Sequence, residues 1–291
     1  MPLKYSRDFR IRYYECDPNG HLNNANYLRL MQETAVDASA MAGFDSKRYL
    51  EMGQGWLIRS SQVDFFRPVV DSDRIRITTW VSDFRRITSR RVYEFRDQIT
   101  GELKALGYTD WVFVDSNSFT PIRIPEVLIQ AFFPEGAPAE YPDRSPPLHQ
   151  PDPPESVFKF RRDVEWLDID QMGHVNNAVY LNYSTECGVQ VLQACGWPSV
   201  RMKEYGFGIY IRRMQVQYLL PAFMGDRLEV AAWTSGIRRS TATRHYTISR
   251  SDSGEILAKI NKYSVWVDIS TRRPIRIPDD FLRDFSGNLA R

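Results

Sequence analysis

Asp17, Asn19 and His21 share one short loop with Gly20, and Asn23-Asn24 follows at once. A carboxylate and an imidazole at this spacing are acid/base groups. One can activate water or attack a carbonyl, and the other can orient it or carry its proton. The whole stretch Asp17-Pro-Asn-Gly-His-Leu-Asn-Asn-Ala-Asn-Tyr-Leu28 returns as Asp170-Gln-Met-Gly-His-Val-Asn-Asn-Ala-Val-Tyr-Leu181. His174 follows His21 by 153 residues (174 − 21), and the offset does not drift. It also carries Pro68 onto Pro221, Asp73 onto Asp226, Tyr93 onto Tyr246 and Pro121-Ile-Arg-Ile-Pro125 onto Pro274-Ile-Arg-Ile-Pro278. A repeat in register over this length means two copies of one folding unit.

Both loops run into a predicted helix. The first amide N–H groups of a helix lack internal partners and, with the helix dipole, hold an anion. A carboxylate beside such donors is the pair that carbonyl hydrolysis needs, since the donors stabilise the developing oxyanion. The candidate catalytic residues are Asp17, Asn19 and His21 in the first copy and Asp170 and His174 in the second. Gly20, Asn23, Asn24, Gly173, Asn176 and Asn177 are candidates for the oxyanion site and for substrate positioning. The glycines permit a sharp turn or close approach of a substrate to the backbone. For one copy alone, Asp-Pro-Asn-Gly also reads as an ordinary turn, and the asparagines as caps. Two copies at one spacing weigh against that reading, although they share an ancestor.

The positioning elements are alike in each copy. A short strand (Arg7 to Tyr14; Phe158 to Trp166) precedes the loop. A helix of about 18 residues follows, Ala25 to Ala42 and Ala178 to Cys195, with Asn24 and Asn177 at the N-cap place and Gly43 and Gly196 at the C-terminal end. Its many apolar residues predict a buried helix. Glu33 and Glu186 recur on it as candidate general bases, because a buried carboxylate has a raised pKa. Four strand-like runs follow, in the first copy Trp56–Phe66, Arg74–Val81, Thr88–Arg96 and Leu103–Val114, then a short helix near Pro125–Phe133 or Pro278–Phe285. A long buried helix and an antiparallel meander predict one sheet wrapped around that helix, an α+β architecture. Residues 134–156 hold eight of the seventeen prolines and read as an extended connector. The predicted units are therefore 1–133 and 157–291.

Composition excludes several classes. The chain has 291 residues, 43% hydrophobic and 25% charged, with a net charge of +2. Neither a membrane span nor a secretory leader is read in it, and nothing in the charge demands nucleic acid. Arg85-Arg86, Arg90-Arg91, Arg212-Arg213 and Arg238-Arg239 suit phosphates and carboxylates, or simply a solvated strand face. Cys16, Cys187 and Cys195 make an odd set without metal spacing, which predicts a reducing, cytoplasmic compartment. Cys187 beside His174 is a weaker candidate nucleophile, having Thr34 as its counterpart in the first copy.

The motif Asp-x-x-Gly-His-x-Asn-Asn-x-x-Tyr before a long helix resembles the hotdog-fold thioesterases of the 4-hydroxybenzoyl-CoA thioesterase type. Two units in one chain, with Leu30-Met-Gln-Glu-Thr-Ala35, Trp56-Leu-Ile-Arg59 and Trp80-Val-Ser82, resemble the double-hotdog acyl-ACP thioesterases over nearly the whole length. The resemblance implies a tandem hotdog and hydrolysis of an acyl thioester on acyl carrier protein or CoA, by a monomer or homodimer. It implies an apolar acyl tunnel beside the helix, with no metal or redox cofactor. It also implies an Asp-x-Asn-x-His set, usually in the second unit. Here that set is complete only in the first unit, because Met172 replaces the Asn in the second. Pro68 and Pro221 stand where the family has a catalytic Glu. A hotdog hydratase or dehydratase, or a unit that binds acyl thioesters without turnover, are the alternative readings.

Overall fold

The computed structural model describes residues 1–138, 140, 144, 146 and 148–290. The chain divides into two compact units, Met1–Pro146 and Pro147–Arg291. The division falls inside the proline-rich connector, which extends on both sides of it.

In the first unit β1 (Lys4–Arg10) leads through a single 3-10 turn into the Asp17 loop and then α1 (Asn24–Met41). α2 (Ser46–Met52), β2 (Gln54–Phe65), β3 (Arg74–Phe84), β4 (Thr88–Asp97), β5 (Leu103–Asp115) and α3 (Glu126–Phe132) follow. The strands form an antiparallel sheet in the order β1-β3-β4-β5-β2. The second unit repeats this with β6 (Phe158–Asp163), α4 (Val179–Ala194), α5 (Ser199–Glu204), β7 (Phe207–Tyr218), β8 (Arg227–Ser235), β9 (Thr241–Arg250), β10 (Ile256–Asp268) and α6 (Asp279–Asp284). Its order, β6-β8-β9-β10-β7, is the same. Even the irregularities repeat. Arg59 is skipped in the β2–β5 register, and its counterpart Arg212 is skipped between β7 and β10. One extra residue on one strand is a bulge, and it bends both sheets at the same place.

Each sheet alternates buried and exposed residues, as a strand with one covered face must. In β3, Ile75, Ile77, Thr79 and Val81 are buried, and in β4, Ser89, Arg91, Tyr93 and Phe95 are. α1 covers that inner face. Tyr27 meets Phe65 edge-on at 4.9 Å and Phe95 at 5.3 Å. α1 is not buried all round, however. Arg29, Glu33, Val36 and Ala40 form an exposed stripe at helical spacing.

The short helices α2 and α5 went unseen in the sequence pattern. Asp45 caps α2 by accepting from the Arg48 amide at 2.8 Å, and Gly53 ends it at φ +61°. The connector is pinned at both ends. Arg144 donates to Asp83, which has no solvent exposure, and also to Thr88 Oγ1 at 3.2 Å. In the second unit Gln150 Nε2 donates to the carbonyls of Tyr246 and Ile260, both at 3.1 Å.

Candidate functional site

The two motif loops fold alike, hydrogen bond for hydrogen bond. The Asp17 amide donates to His21 O at 2.7 Å and the Gly20 amide to Asp17 O at 2.8 Å. Leu22 N–H reaches Val69 O at 2.8 Å, and Asn23 N–H reaches Glu15 O at 2.9 Å. In the second loop the same bonds join Asp170 to His174, Gly173 to Asp170, Val175 to Ala222 and Asn176 to Asp168, at 2.9 to 3.0 Å. The turn depends on glycine, since Gly20 and Gly173 both lie at φ +78°, where an L side chain is strained. In the second loop the motif tyrosine is an anchor. The Tyr180 hydroxyl accepts the Ala222 amide at 3.0 Å, and burial pushes its pKa up to about 12.

In the first unit the cap sits one residue earlier than the sequence suggested: Asn23 Oδ1 accepts the Ala25 amide at 3.0 Å. Asn24 is thereby a first-turn residue, and its own N–H has no internal partner among the described residues. In the second unit Asn176 Oδ1 accepts the Ala178 amide at 2.9 Å, but α4 begins later, with Ala178 at the cap position and Asn177 in the turn before it.

The two carboxylates differ. Asp17 Oδ1 accepts the amides of Asn19 at 2.8 Å and His21 at 3.2 Å, while Oδ2 takes no hydrogen bond among the described residues. Asp170 has both oxygens engaged. Oδ1 takes the Met172 amide at 2.9 Å, and Oδ2 takes the Asn176 side chain at 3.2 Å. His174 Nδ1 lies 4.0 Å from Asp170 Oδ1 and 3.3 Å from Val175 O. Asp17, His21 and His174 are half-buried, and Asn19 is exposed at the loop tip.

Two further expectations are corrected. Glu33 and Glu186 are exposed, on the outer face of their helices. Neither is therefore the buried base proposed from sequence. Cys187 is fully buried, its thiol faces Val230 O at 3.5 Å, and burial pushes its pKa up to about 12. It stays protonated and is no nucleophile. Beside α1, Met31 rests on the sheet at Gly107. An open recess of about 360 Å³ lies between the end of α1 and α2, lined by Ala40, Gly43, Asp45, Lys47, Arg48 and Glu51.

Sequence reasoning missed two buried groups in the second unit. His245, 3% exposed, accepts from Ser235 Oγ at 2.7 Å and donates to Asn261 Oδ1 at 2.7 Å. Asn261 Nδ2 donates to His149 O, so its Oδ1 must accept, and this fixes the imidazole tautomer. Burial pushes the His245 pKa down, against the Asn261 hydrogen bond. Lys262 is 4% exposed and donates to Thr185 Oγ1 at 3.1 Å. Strand parity could have found Lys262, which alternates with the buried Ile260, Ser264 and Trp266, but not His245, whose neighbours Thr243 and Thr247 on the same face are only half-buried.

Residues 2–132 match the acyl-ACP thioesterase N-terminal domain, and residues 164–285 match the thioesterase-like superfamily. Each of the two units thus matches a thioesterase family model of its own. An acyl-acyl-carrier-protein hydrolase of Cuphea viscosissima is 27% identical over 194 residues, covering 63% of this chain and 47% of that protein. A palmitoyl-acyl carrier protein thioesterase of Cuphea hookeriana is 26% identical over 194 residues, covering 63% and 46%. The chain spans about half the length of these curated relatives. The solved 12:0-ACP thioesterase from Umbellularia californica superposes with a TM-score of 0.72 at 16% identity, covering 90% of this chain and 93% of that one. At that identity the likeness establishes the double-hotdog fold.

Proposed function

We propose that this chain hydrolyses acyl thioesters held on a phosphopantetheine carrier, acyl carrier protein or CoA, and that the first loop does the work. The reading is supported by thioesterase-family matches on both halves and by relatives named as acyl-ACP hydrolases. The observation that carries the choice of loop is the unengaged Oδ2 of Asp17, beside His21 and Asn19, against an Asp170 with both oxygens committed.

In this mechanism the thioester carbonyl docks on the Asn24 N–H at the start of α1. The helix dipole and that donor take the negative charge that develops on the oxygen. Asp17 Oδ2 then draws the proton from water or attacks the carbonyl itself, while the loop amides on Oδ1 hold the carboxylate in place. When Asp17 acts as base, the water oxygen displaces the thiol, which leaves with a proton, and the acid is released. When Asp17 attacks, the thiol leaves a mixed anhydride on Asp17, and water then cleaves it to the acid and the free carboxylate. The second loop, with Met172 in place of an Asn, serves in binding. A reducing compartment such as the cytoplasm suits the three free cysteines.

The test is thiol release from a panel of acyl-CoA and acyl-ACP substrates, read with a thiol reagent. Loss of general-base catalysis lowers rate about 10²- to 10⁴-fold. Asp17→Asn should fall in that range, while Asp170→Asn should keep most activity. Release from no substrate, or an Asp17→Asn enzyme equal to wild type, overturns the proposal.

A further inference from the structure

The inner face of the first unit's sheet carries an unusual polar set beneath α1. Arg91, Thr109 and Ser61 stand in one cross-strand row, since Arg91 pairs with Thr109 and Thr109 with Ser61. They are 6%, 2% and 4% exposed. The neighbouring rows bring Tyr93, fully buried, and Trp111.

The Ser61 hydroxyl is buried without a hydrogen-bond partner among the described residues, and the Tyr93 hydroxyl and Trp111 indole N–H lack a well-formed one, although the Thr109 and Trp111 side chains lie close enough to the Tyr93 hydroxyl to interact with it. The Arg91 guanidinium has neither a hydrogen bond nor a carboxylate there. Its recorded contact is the Phe132 ring, 5.2 Å away. Buried polar groups are nearly always satisfied, and a buried charge without a counter-charge is costly. Every member of the set can donate and none is an acid. Such a set is complementary to a carboxylate, which is an acceptor only and fits an Arg fork.

The repeat supplies a control. Arg244, at the Arg91 position of the second unit, donates to Thr234 Oγ1 and to Gly188 O, each at 3.4 Å. Lys262 and Ser264 replace Thr109 and Trp111 there, and Met214 replaces Ser61. The second unit does keep an unpaired donor on this face, the Trp266 indole N–H, but its arginine is satisfied, so the buried arginine without an acceptor belongs to the first unit.

A way in is also specific to the first unit. A Cβ on Gly107 would lie 2.7 Å from Met31 Sδ, so the Met31 side chain rests directly on the glycine backbone. Met is flexible and repacks readily. Swung aside, it uncovers a slot floored by glycine next to Tyr93. The second unit has Ser184 and Ile260 at these positions. Met31 is seven residues into the helix from Asn24, so the slot lies roughly 10 Å from the carbonyl site at 1.5 Å per residue.

We propose that this site reads a carboxylate at the far end of the acyl group, so that the substrate is the thioester of a dicarboxylic acid rather than a plain fatty acid. The proposal rests on the thioesterase reading for its reaction but not for its binding. Arg91 forks the carboxylate, with Tyr93 and Trp111 donating beside it, and Met31 gives way to the chain.

The test measures binding of monomethyl suberate against methyl octanoate, which differ only in the far-end carboxylate, by calorimetry, and kcat/KM for suberyl-CoA against octanoyl-CoA. Monomethyl suberate should bind at least tenfold tighter than methyl octanoate. Arg91→Met and Tyr93→Phe should each remove most of that preference. Tyr93→Phe keeps the ring and so remains informative if Arg91→Met does not fold. Preferential binding of monomethyl suberate without any thioester hydrolysis supports the site and overturns the enzyme reading. Hydrolysis of octanoyl and suberyl thioesters at equal rates, with equal binding of the two esters, overturns the site and leaves the enzyme reading standing.

Discussion

Lys262→Met should stabilise the protein. Lys262 enters the second unit's inner face from β10, is 4% exposed, and has the Thr185 hydroxyl at 3.1 Å and the Tyr246 ring at 5.0 Å. Burial, aggravated by the like charge of Arg244, lowers its pKa from 10.5 to about 7. At ~1.4 kcal/mol per pH unit that difference amounts to about 5 kcal/mol against the charged form. The unfolded chain holds the extra proton between about pH 7 and 10.5, so stability rises with pH across that window. Below about 7 both states are protonated and the full penalty applies. Met retains the packing of the stem but removes the charge. Against the penalty stands one lost hydrogen bond of about 1 kcal/mol and the attraction to the Tyr246 ring. A net gain of about 1–3 kcal/mol at pH 7 is expected, shrinking toward pH 10. Urea unfolding followed by tryptophan fluorescence at pH 6, 7, 8, 9 and 10 measures it. If wild type and Lys262→Met show the same slope with pH, the buried-charge argument fails.

Arg144→Ala leaves Asp83 buried without its counter-charge and should cost about 3–5 kcal/mol, seen as a fall in Tm that Asp83→Asn in the same chain largely reverses. Gly20→Ala and Gly173→Ala each force an L side chain to φ +78° and should cost about 1–2 kcal/mol in denaturant titration. A loss of a few tenths would mean the loop relaxes to negative φ. Cys187 should resist a thiol reagent at pH 7.5 in the folded protein and react on unfolding, while the half-buried Cys16 and Cys195 react earlier. Rapid modification of Cys187 in native protein, mapped by mass spectrometry, would contradict its burial.

Much of this architecture was legible because its signals are local. Gly20 and Gly173 announce a turn that needs positive φ, and strand alternation such as Arg74-Ile-Arg-Ile-Thr marks one covered face. The fixed offset joined weak signals from two copies. The cap slipped by one residue because Asn23-Asn24 offers two equally good caps, and only the Ala25 amide decides between them. Glu33 was misplaced because residue types alone did not show that α1 keeps the stripe Arg29, Glu33, Val36 and Ala40 in water. α2 was short enough to pass for a loop, although Asp45 and Gly53 mark both its ends. The polar interior was the least legible part. Arg91, His245 and Lys262 are residue types read by default as surface. Parity with buried neighbours betrays Arg91 and Lys262, whereas His245 lies on the opposite face of its strand, tied to Asn261 and through it to the connector, and has no such signal.

The two copies show where divergence was tolerated. The loop framework is held by backbone bonds that recur one for one, so any side chain compatible with the glycine turn can occupy positions such as Asn19 or Met172. The interior has no such constraint. Thr34 faces Cys187 across the repeat, Val92 faces His245, and Thr109 faces Lys262. Each change is nearly isosteric in stem yet alters charge or hydrogen bonding in a place without water, where such differences are worth most. A duplicated unit can therefore keep its loop geometry and change what its interior accepts. The second unit satisfies its buried Lys262, His245 and Arg244 internally, through Thr185, Asn261 and Thr234, although the Trp233 and Trp266 indole N–H groups stay unpaired there. The first keeps Arg91 buried without a carboxylate, with Ser61 unpaired in the same row. A buried cation without an acceptor is costly unless a ligand supplies one, so the specificity of this chain is to be sought under α1.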